Sequence, residues 1–553
     1  MINPNGPRTG RPPTHAPHGV VATPHYLASA AGLQMLVRGG SAVDAAIAAN
    51  AVLCVAYPHM AGLGGDGFWL IAEPGTGKVH GLNASGPAAR LATLEYYRPR
   101  SKDNAIPMRG PLSVLTVPGA IDGWRAVHER FGRLAWGELF DSAITYARDG
   151  VPVSRSLADW LAQDEPILAA YPPTAAIFLP GKRVPREGQR LVQSDLARSF
   201  QLIASKGARA GYYEGPIAKT FSAALQKQDS PLREDDFAAF KAEWVEPITS
   251  TYRGYTVHQL PPNTQGFTAL QILNLIEGYD VKAWGDGTAD YYHHMAEAVK
   301  VAFADREEWL TDPRFVDIPV QKFITKEYAN ERRRLIDPQR AQNIADVPAG
   351  IPYKHPHERR APDGDTCYFC AADKDGMVVS LIQSIYHDFG SAVIGGDTGI
   401  ILQNRGAFFA LDEKHPNHLQ PGKRTFHTLI PGLLTRDDQP YLAFGSMGGE
   451  GQPQSQAALA TRIIDFDYDV QQAIEAPRWL MGRTWGTVSR NMSLEGRISD
   501  EVVRELKRRG QPVQPVTDWN DNMGHAHAIR IDREHRFLEG GADPRGDGAA
   551  LGY

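Results

Sequence analysis

Cysteine is scarce in this chain, with three in 553 residues. So low a count suits a reducing compartment, where thiols stay free. Cys367 and Cys370 have the spacing of a redox pair, but such a site wants its first thiol at a helix start. On a strand, positions 367 and 370 point to opposite faces, so both are expected to be small core residues. Long hydrophobic runs are missing too. The longest, residues 45–57, is interrupted by Asn50 and too short to span a bilayer, so it reads as a buried helix. The first twenty residues are rich in Pro, Gly and His and lack the apolar run of a signal peptide. The expectation is therefore a cytoplasmic protein. A formal net charge of −5 gives no electrostatic case for binding nucleic acid or an anionic membrane. No linker breaks the hydrophobic periodicity, and one large α/β globule is expected rather than a string of domains.

Against these absences stands Gly-Asp-Thr-Cys-Tyr-Phe-Cys-Ala-Ala-Asp-Lys-Asp-Gly, residues 364–376. Upstream, residues 338–365 hold five prolines, the paired Arg359 and Arg360, and little apolar periodicity, as in an exposed and cleavable loop. Downstream, residues 367–372 read as a strand, 373–376 as a turn and 377–385 as a second strand. Thr366 thus sits at the lip of a hairpin, where it can become a new N-terminus. A threonine hydroxyl is a poor nucleophile until a base removes its proton, and a free α-amine on the same residue can be that base. An α-amine titrates at about 7.7–8.0, so it can take a proton during attack and return it to a leaving amine. Taken alone, an Asp-Thr pair more often marks an ordinary strand start, since threonine is a good strand former.

Elsewhere the pattern is mixed. Helices are expected at residues 26–37, 42–55 (capped by Ser41), 136–147, 268–276, 290–310 and 499–509, and strands at 68–72, 441–444 and 525–531. Histidines cluster at His293 and His294, His355 and His357, His415 and His418, and His525 and His527. The last pair would share a strand face, as a metal site could require, but no local motif completes a ligand set. Asp397-Thr398-Gly399 has the form of an aspartic-protease loop, yet that chemistry needs two carboxylates sharing a proton, and there is no second copy.

Several segments are similar, in the same order, to the γ-glutamyltranspeptidase family of N-terminal-nucleophile hydrolases. They are residues 22–68 with their glycine-rich close, 261–280, 294–313, the strand from Thr366, Gly-Lys-Arg-Thr-Phe-His-Thr-Leu-Ile-Pro at 422–431, and Gly-Ser-Met-Gly-Gly-Glu-Gly-Gln-Pro-Gln at 445–454. The resemblance implies an α/β fold, a four-layer αββα sandwich of N-terminal-nucleophile hydrolase type, with two subunits cut from one precursor. It places cleavage between Asp365 and Thr366, giving a large subunit 1–365 and a small subunit 366–553, and a homodimer of the processed pair is compatible with that scheme. It makes Thr366 the nucleophile, Ser384 the hydroxyl beside it, and Gly448 and Gly449 the oxyanion hole. Glycines there would allow close backbone approach, and residues 454–464 read as a helix whose N-terminus favours negative charge. No cofactor or metal is implied.

The departures from the family pattern concern the substrate. Ser85 stands where γ-glutamyl enzymes use an arginine for the α-carboxylate. Arg405 and Phe408 stand where they use a glutamine and an aspartate, and His427 and Thr428 replace paired serines. A buried ammonium without a carboxylate partner is costly, so Phe408 argues against a glutamyl headgroup. Arg405, with a planar fork, suits an anionic group instead. The pattern is closest to the atypical oxamate amidohydrolases and cephalosporin-acylase-like members, with the oxamate type favoured by residues 55–74. The expected activity is hydrolysis of a small anionic amide through a threonyl acyl-enzyme. Rival readings are a γ-glutamyltransferase or glutathione hydrolase, a metal-dependent amidohydrolase, and a non-catalytic binding protein.

Overall fold

Alternate residues of the central strands belong to different hydrophobic cores. In Asp66–Ala72, Phe68 and Leu70 face one core while Trp69 and Ile71 face another. In Asp365–Ala372 the same alternation sends Cys367 and Phe369 one way and Tyr368 and Cys370 the other. This period of two lets one sheet carry an apolar layer on each side. The computed structural model describes residues 10–358, 364–482 and 489–553; Arg359, Arg360 and the side chain of Asp365 lie outside the described residues.

Two seven-stranded sheets form the centre. The first runs, in spatial order, Ala549–Gly552, Val20–Thr23, Asp365–Ala372, Val378–Tyr386, Asp66–Ala72, Val79–Ala84 and Glu243–Val245. The second runs Thr14–Ala16, Phe537–Ala542, Ala526–Asp532, Gln439–Ser446, Gly432–Arg436, Tyr255–Gln259 and Ile248–Tyr252. All pairings in both sheets are antiparallel. Between them lies a core of Val20, Phe68, Leu70, Tyr368, Cys370 and Ile382 from one sheet against Leu433, Ala443 and Ile529 from the other. Outside the first sheet pack Tyr26–Val37 and Ala42–Ala56; outside the second pack Gly266–Glu277, Ala289–Trp309 and Gly451–Ile464. The result is the αββα sandwich.

Local signals explain most of the elements. The Ser41 side chain and Asp44 form a reciprocal capping box that starts Ala42–Ala56, a helix with every residue buried. Such a helix must be apolar on all sides, and its one amide, Asn50, donates to Gln383 Oε1 at 2.6 Å. Three expectations need correction. Residues 136–147 form not one helix but a 3₁₀ turn, Trp136–Phe140, followed by Asp141–Asp149. The helix expected from 454 begins at Gly451, because Pro453 is tolerated in a first turn. The last long strand is Ala526–Asp532, so His525 precedes it and bonds Tyr57 and Asp521 rather than sharing a strand face with His527. Among the described residues no helix is long and apolar enough to cross a membrane.

Candidate active site

Thr366 lies 1% exposed at the start of a central strand. Its neighbours pair with the adjacent strand as Asp365 with Tyr386 and Cys367 with Gln383, so a register shift falls at Thr366 itself. Such irregularities re-aim a side chain and are common beside active sites. The preceding Gly364 has φ 144°, and a Cβ there would come within 2.5 Å of the Tyr386 ring, so only glycine fits. Tyr386 in turn adopts φ 85°, a left-handed conformation that a bulky residue holds only when its surroundings enforce it.

The residues singled out from sequence come together around this point. Ser384 Oγ accepts from the Tyr386 amide at 2.7 Å and from Arg405 Nη2 at 3.4 Å. Arg405 Nη1 reaches Thr428 Oγ1 at 3.3 Å. The guanidinium is buried, stacked over Tyr386, with Phe408 5.8 Å from it and Phe408 itself packed against Tyr386 and Phe426. Phe408 therefore shapes an aromatic wall. Ser85 is more deeply tied into the protein: its Oγ donates to Asn83 Oδ1 at 2.7 Å and accepts from Asn263 Nδ2 at 3.3 Å. Arg424 stands beside it, donating to the Ser85 carbonyl and, at 2.6 Å, to Glu243.

Gly448 and Gly449 have φ 116° and 47°, and lead into the helix Gly451–Ile464. The Gly448 carbonyl accepts from the Gly451 amide at 2.6 Å. Gln265 anchors the loop, its Nε2 donating to the Thr428 carbonyl at 2.7 Å and the Gly449 carbonyl at 3.0 Å. Arg306 holds Gln265 Oε1 at 3.0 Å and pairs with Glu450 at 2.8 Å, all buried. One amide thus fixes the glycine pair relative to the segment carrying Thr428.

Asp66 is a residue that sequence reasoning passed over. It pairs across the ladder with Ser384 and is held by the Gly86 and Gly119 amides, Gln403 Nε2 and His427 Nε2. Burial pushes its carboxyl up to about 7 against the pull of Gln403, Arg405 and the Gly86 and Gly119 amides. Burial, with Arg405 nearby, also holds His427 well below the ordinary imidazole range, so the ring is neutral. An acid in the glycine-rich run 62–67 was the available signal.

Other candidate chemistries find no such assembly. Cys367 and Cys370 face the helix-side and inter-sheet cores respectively, and all three cysteines are buried and outside any disulfide. Among the described residues no group of three or more His, Cys, Asp or Glu is placed to hold a metal.

A four-layer αββα sandwich with a buried threonine beginning a central strand, and with a glycine pair leading into a helix, is the arrangement of an N-terminal-nucleophile hydrolase. A family model described as gamma-glutamyltranspeptidase matches residues 28–553, and the chain belongs to that family of amide-bond hydrolases. The glutathione hydrolase-like YwrD proenzyme of Bacillus subtilis is 46% identical over 533 residues, covering 96% of this chain and 98% of that protein. The oxamate amidohydrolase proenzyme of Klebsiella pneumoniae is 41% identical over 541 residues, 97% of this chain and 98% of that protein. The solved cephalosporin acylase from Bacillus halodurans matches with a TM-score of 0.90 at 37% identity, over 100% of this chain and 99% of that one.

Proposed function

We propose that this protein is an autoprocessing amidohydrolase that cleaves a small anionic amide of the oxamate type, with Thr366 as nucleophile. The observation that carries the substrate class is the Arg405 guanidinium, buried over Tyr386 within reach of Ser384 and Thr428, with Phe408 where an acid would be needed for an ammonium. In maturation the Thr366 hydroxyl attacks the Asp365 carbonyl, the peptide C–N bond breaks, and water opens the resulting ester to give chains 1–365 and 366–553. The freed α-amine is then the base.

In turnover the amine takes the Thr366 hydroxyl proton as Oγ attacks the substrate carbonyl. The amides of Gly448 and Gly449 stabilise the oxyanion. Collapse breaks the C–N bond, the α-ammonium protonates the leaving nitrogen, and water hydrolyses the acyl-threonine. The 41% identical oxamate amidohydrolase supports this reading. A γ-glutamyl substrate is the second reading, favoured by the buried Asp66 carboxylate as a partner for an ammonium. Buried cysteines outside any disulfide suit a cytoplasmic enzyme. Comparing kcat/KM of the processed protein for oxamate, a glutaryl amide and a γ-glutamyl anilide tests the assignment; preference for the anilide would reverse it.

A further inference from the structure

The two oxygens of Asp66 are used unequally. Oδ1 accepts from the Gly86 amide at 3.2 Å, the Gly119 amide at 3.0 Å and Gln403 Nε2 at 3.0 Å. Oδ2 meets His427 Nε2 at 3.1 Å. The backbone of the histidine is held, its amide donating to Asn263 and its carbonyl accepting from Gln265, and its ring packs edge-on against Phe68 at 4.7 Å. Its other nitrogen, Nδ1, is buried with no hydrogen-bond partner among the described residues.

A neutral imidazole has one donor and one acceptor, and an ionised carboxylate only accepts. Nε2 therefore carries the ring proton and Nδ1 is an acceptor. A buried acceptor left unmet is costly, so this nitrogen is suited to a ligand that brings a donor. His427 is joined through the chain to Thr428, which bonds Arg405, which bonds Ser384, the residue opposite Asp66. The acceptor belongs to the same ring of side chains as the anion-binding guanidinium.

We propose that Asp66 is a positioning residue that locks His427 as the Nε2–H tautomer, so that His427 Nδ1 accepts a hydrogen bond from the N–H of the scissile amide. This rests on the reading of the site as an amidohydrolase with Arg405 on the substrate carboxylate. It makes the site selective for amides over esters of the same acid, since an ester oxygen has no hydrogen to give. The same pair, with its orientation reversed, would select the other way.

Asp66→Asn reverses it. Three donors keep the asparagine carbonyl oxygen at the Oδ1 position and turn its amide nitrogen toward His427, so Nε2 must accept and the ring proton moves to Nδ1. The processed protein would be assayed at pH 8 with oxamate and with the monomethyl ester of oxalic acid. Ring-¹⁵N-labelled histidine would be read by NMR, with the His427 signals assigned by their loss in His427→Gln. Expected results are an Nε2–H, bare-Nδ1 ring in the wild type, the inverse in Asp66→Asn, and an amide-to-ester ratio of kcat/KM lower by about tenfold in the variant while ester turnover persists. A wild-type ring carrying its proton on Nδ1, a reading that does not depend on Asp66→Asn, overturns the proposal. So does an unchanged amide-to-ester ratio in Asp66→Asn, which leaves the amidohydrolase reading standing. A wild type that hydrolyses neither probe removes the substrate assignment and this proposal with it.

Discussion

The guanidinium carbon of Arg405 lies 4.3 Å from the centroid of the Tyr386 ring. Tyr386 is also the residue against which Gly364 packs, two positions before Thr366. One aromatic ring therefore borders the peptide proposed to be cut and seats the cation proposed to bind substrate. In that proposal, cutting the chain and recognising the substrate share a wall.

Processing is the first consequence to check. Purified protein should resolve under denaturing conditions into fragments of about 40 and about 20 kDa, by apportioning mass with length. The smaller should begin at Thr366 by mass spectrometry. Thr366→Ala should remain a folded, uncleaved, inactive chain, and Thr366→Ser should keep part of both activities because hydroxyl and α-amine survive. An active preparation containing only intact chain would sink the mechanism.

Arg405→Lys tests the anion site. An ammonium cannot reproduce the fork or its stacking on Tyr386, so kcat/KM for oxamate should fall about ten- to a hundredfold, as for loss of a charged hydrogen bond worth roughly 1.5–3 kcal/mol. Turnover of a neutral amide should change far less. Equal losses on both would mean that Arg405 supports the fold instead of the substrate.

The pH profile should report Asp66, whose titratable and charged neighbours are His427, Arg405 and Tyr212. Its carboxyl sits at about 7 against an ordinary 3.8, so the folded protein holds the proton more tightly than the unfolded chain. This group's contribution to stability therefore declines as pH rises across roughly 4 to 7, and Asp66→Asn should flatten that part of the curve. Catalysis runs the other way: protonation of Asp66 below about 7 removes the acceptor facing His427, so amide hydrolysis should fall off in acid. A profile unchanged by Asp66→Asn would contradict both statements.

Arg306 and Glu450 form a buried pair at the base of the glycine loop. Arg306→Met removes the guanidinium from the buried Glu450 carboxylate, which should cost about 3–5 kcal/mol. Urea unfolding in the Thr366→Ala background, where the chain stays in one piece, would measure it. A loss under about 1 kcal/mol would show that the pair is not structural.

Much of the layered fold is legible in the chain. The period of two in residues 68–72 and 367–372, the Ser41 cap and the all-apolar run 42–56 are local, and local patterns decide which face of an element seeks a core. The hairpin lip at Thr366 could be read from composition alone, and so could the glycine pair before a helix. The 3₁₀ turn at 136–140 could not, since its apolar spacing is that of an α-helix and tertiary packing chose otherwise.

The site itself divides in the same way. The candidates at 366, 384, 405, 427, 428, 448 and 449 are legible through the order of segments shared with the family, not through any one residue's local signature. Gln265 and Tyr386 are not among them, and Asp66 has only its place in the glycine-rich run 62–67 as a signal. Asp66 and His427 are 361 positions apart and meet only because the strand Asp66–Ala72 pairs with Val378–Tyr386 and the two sheets stack. Which nitrogen of a histidine faces a carboxylate, and what burial does to that carboxylate, are properties of a surrounding that the chain order does not express. Sequence determined the reactive groups; the tertiary structure decided their neighbours, and the neighbours set protonation.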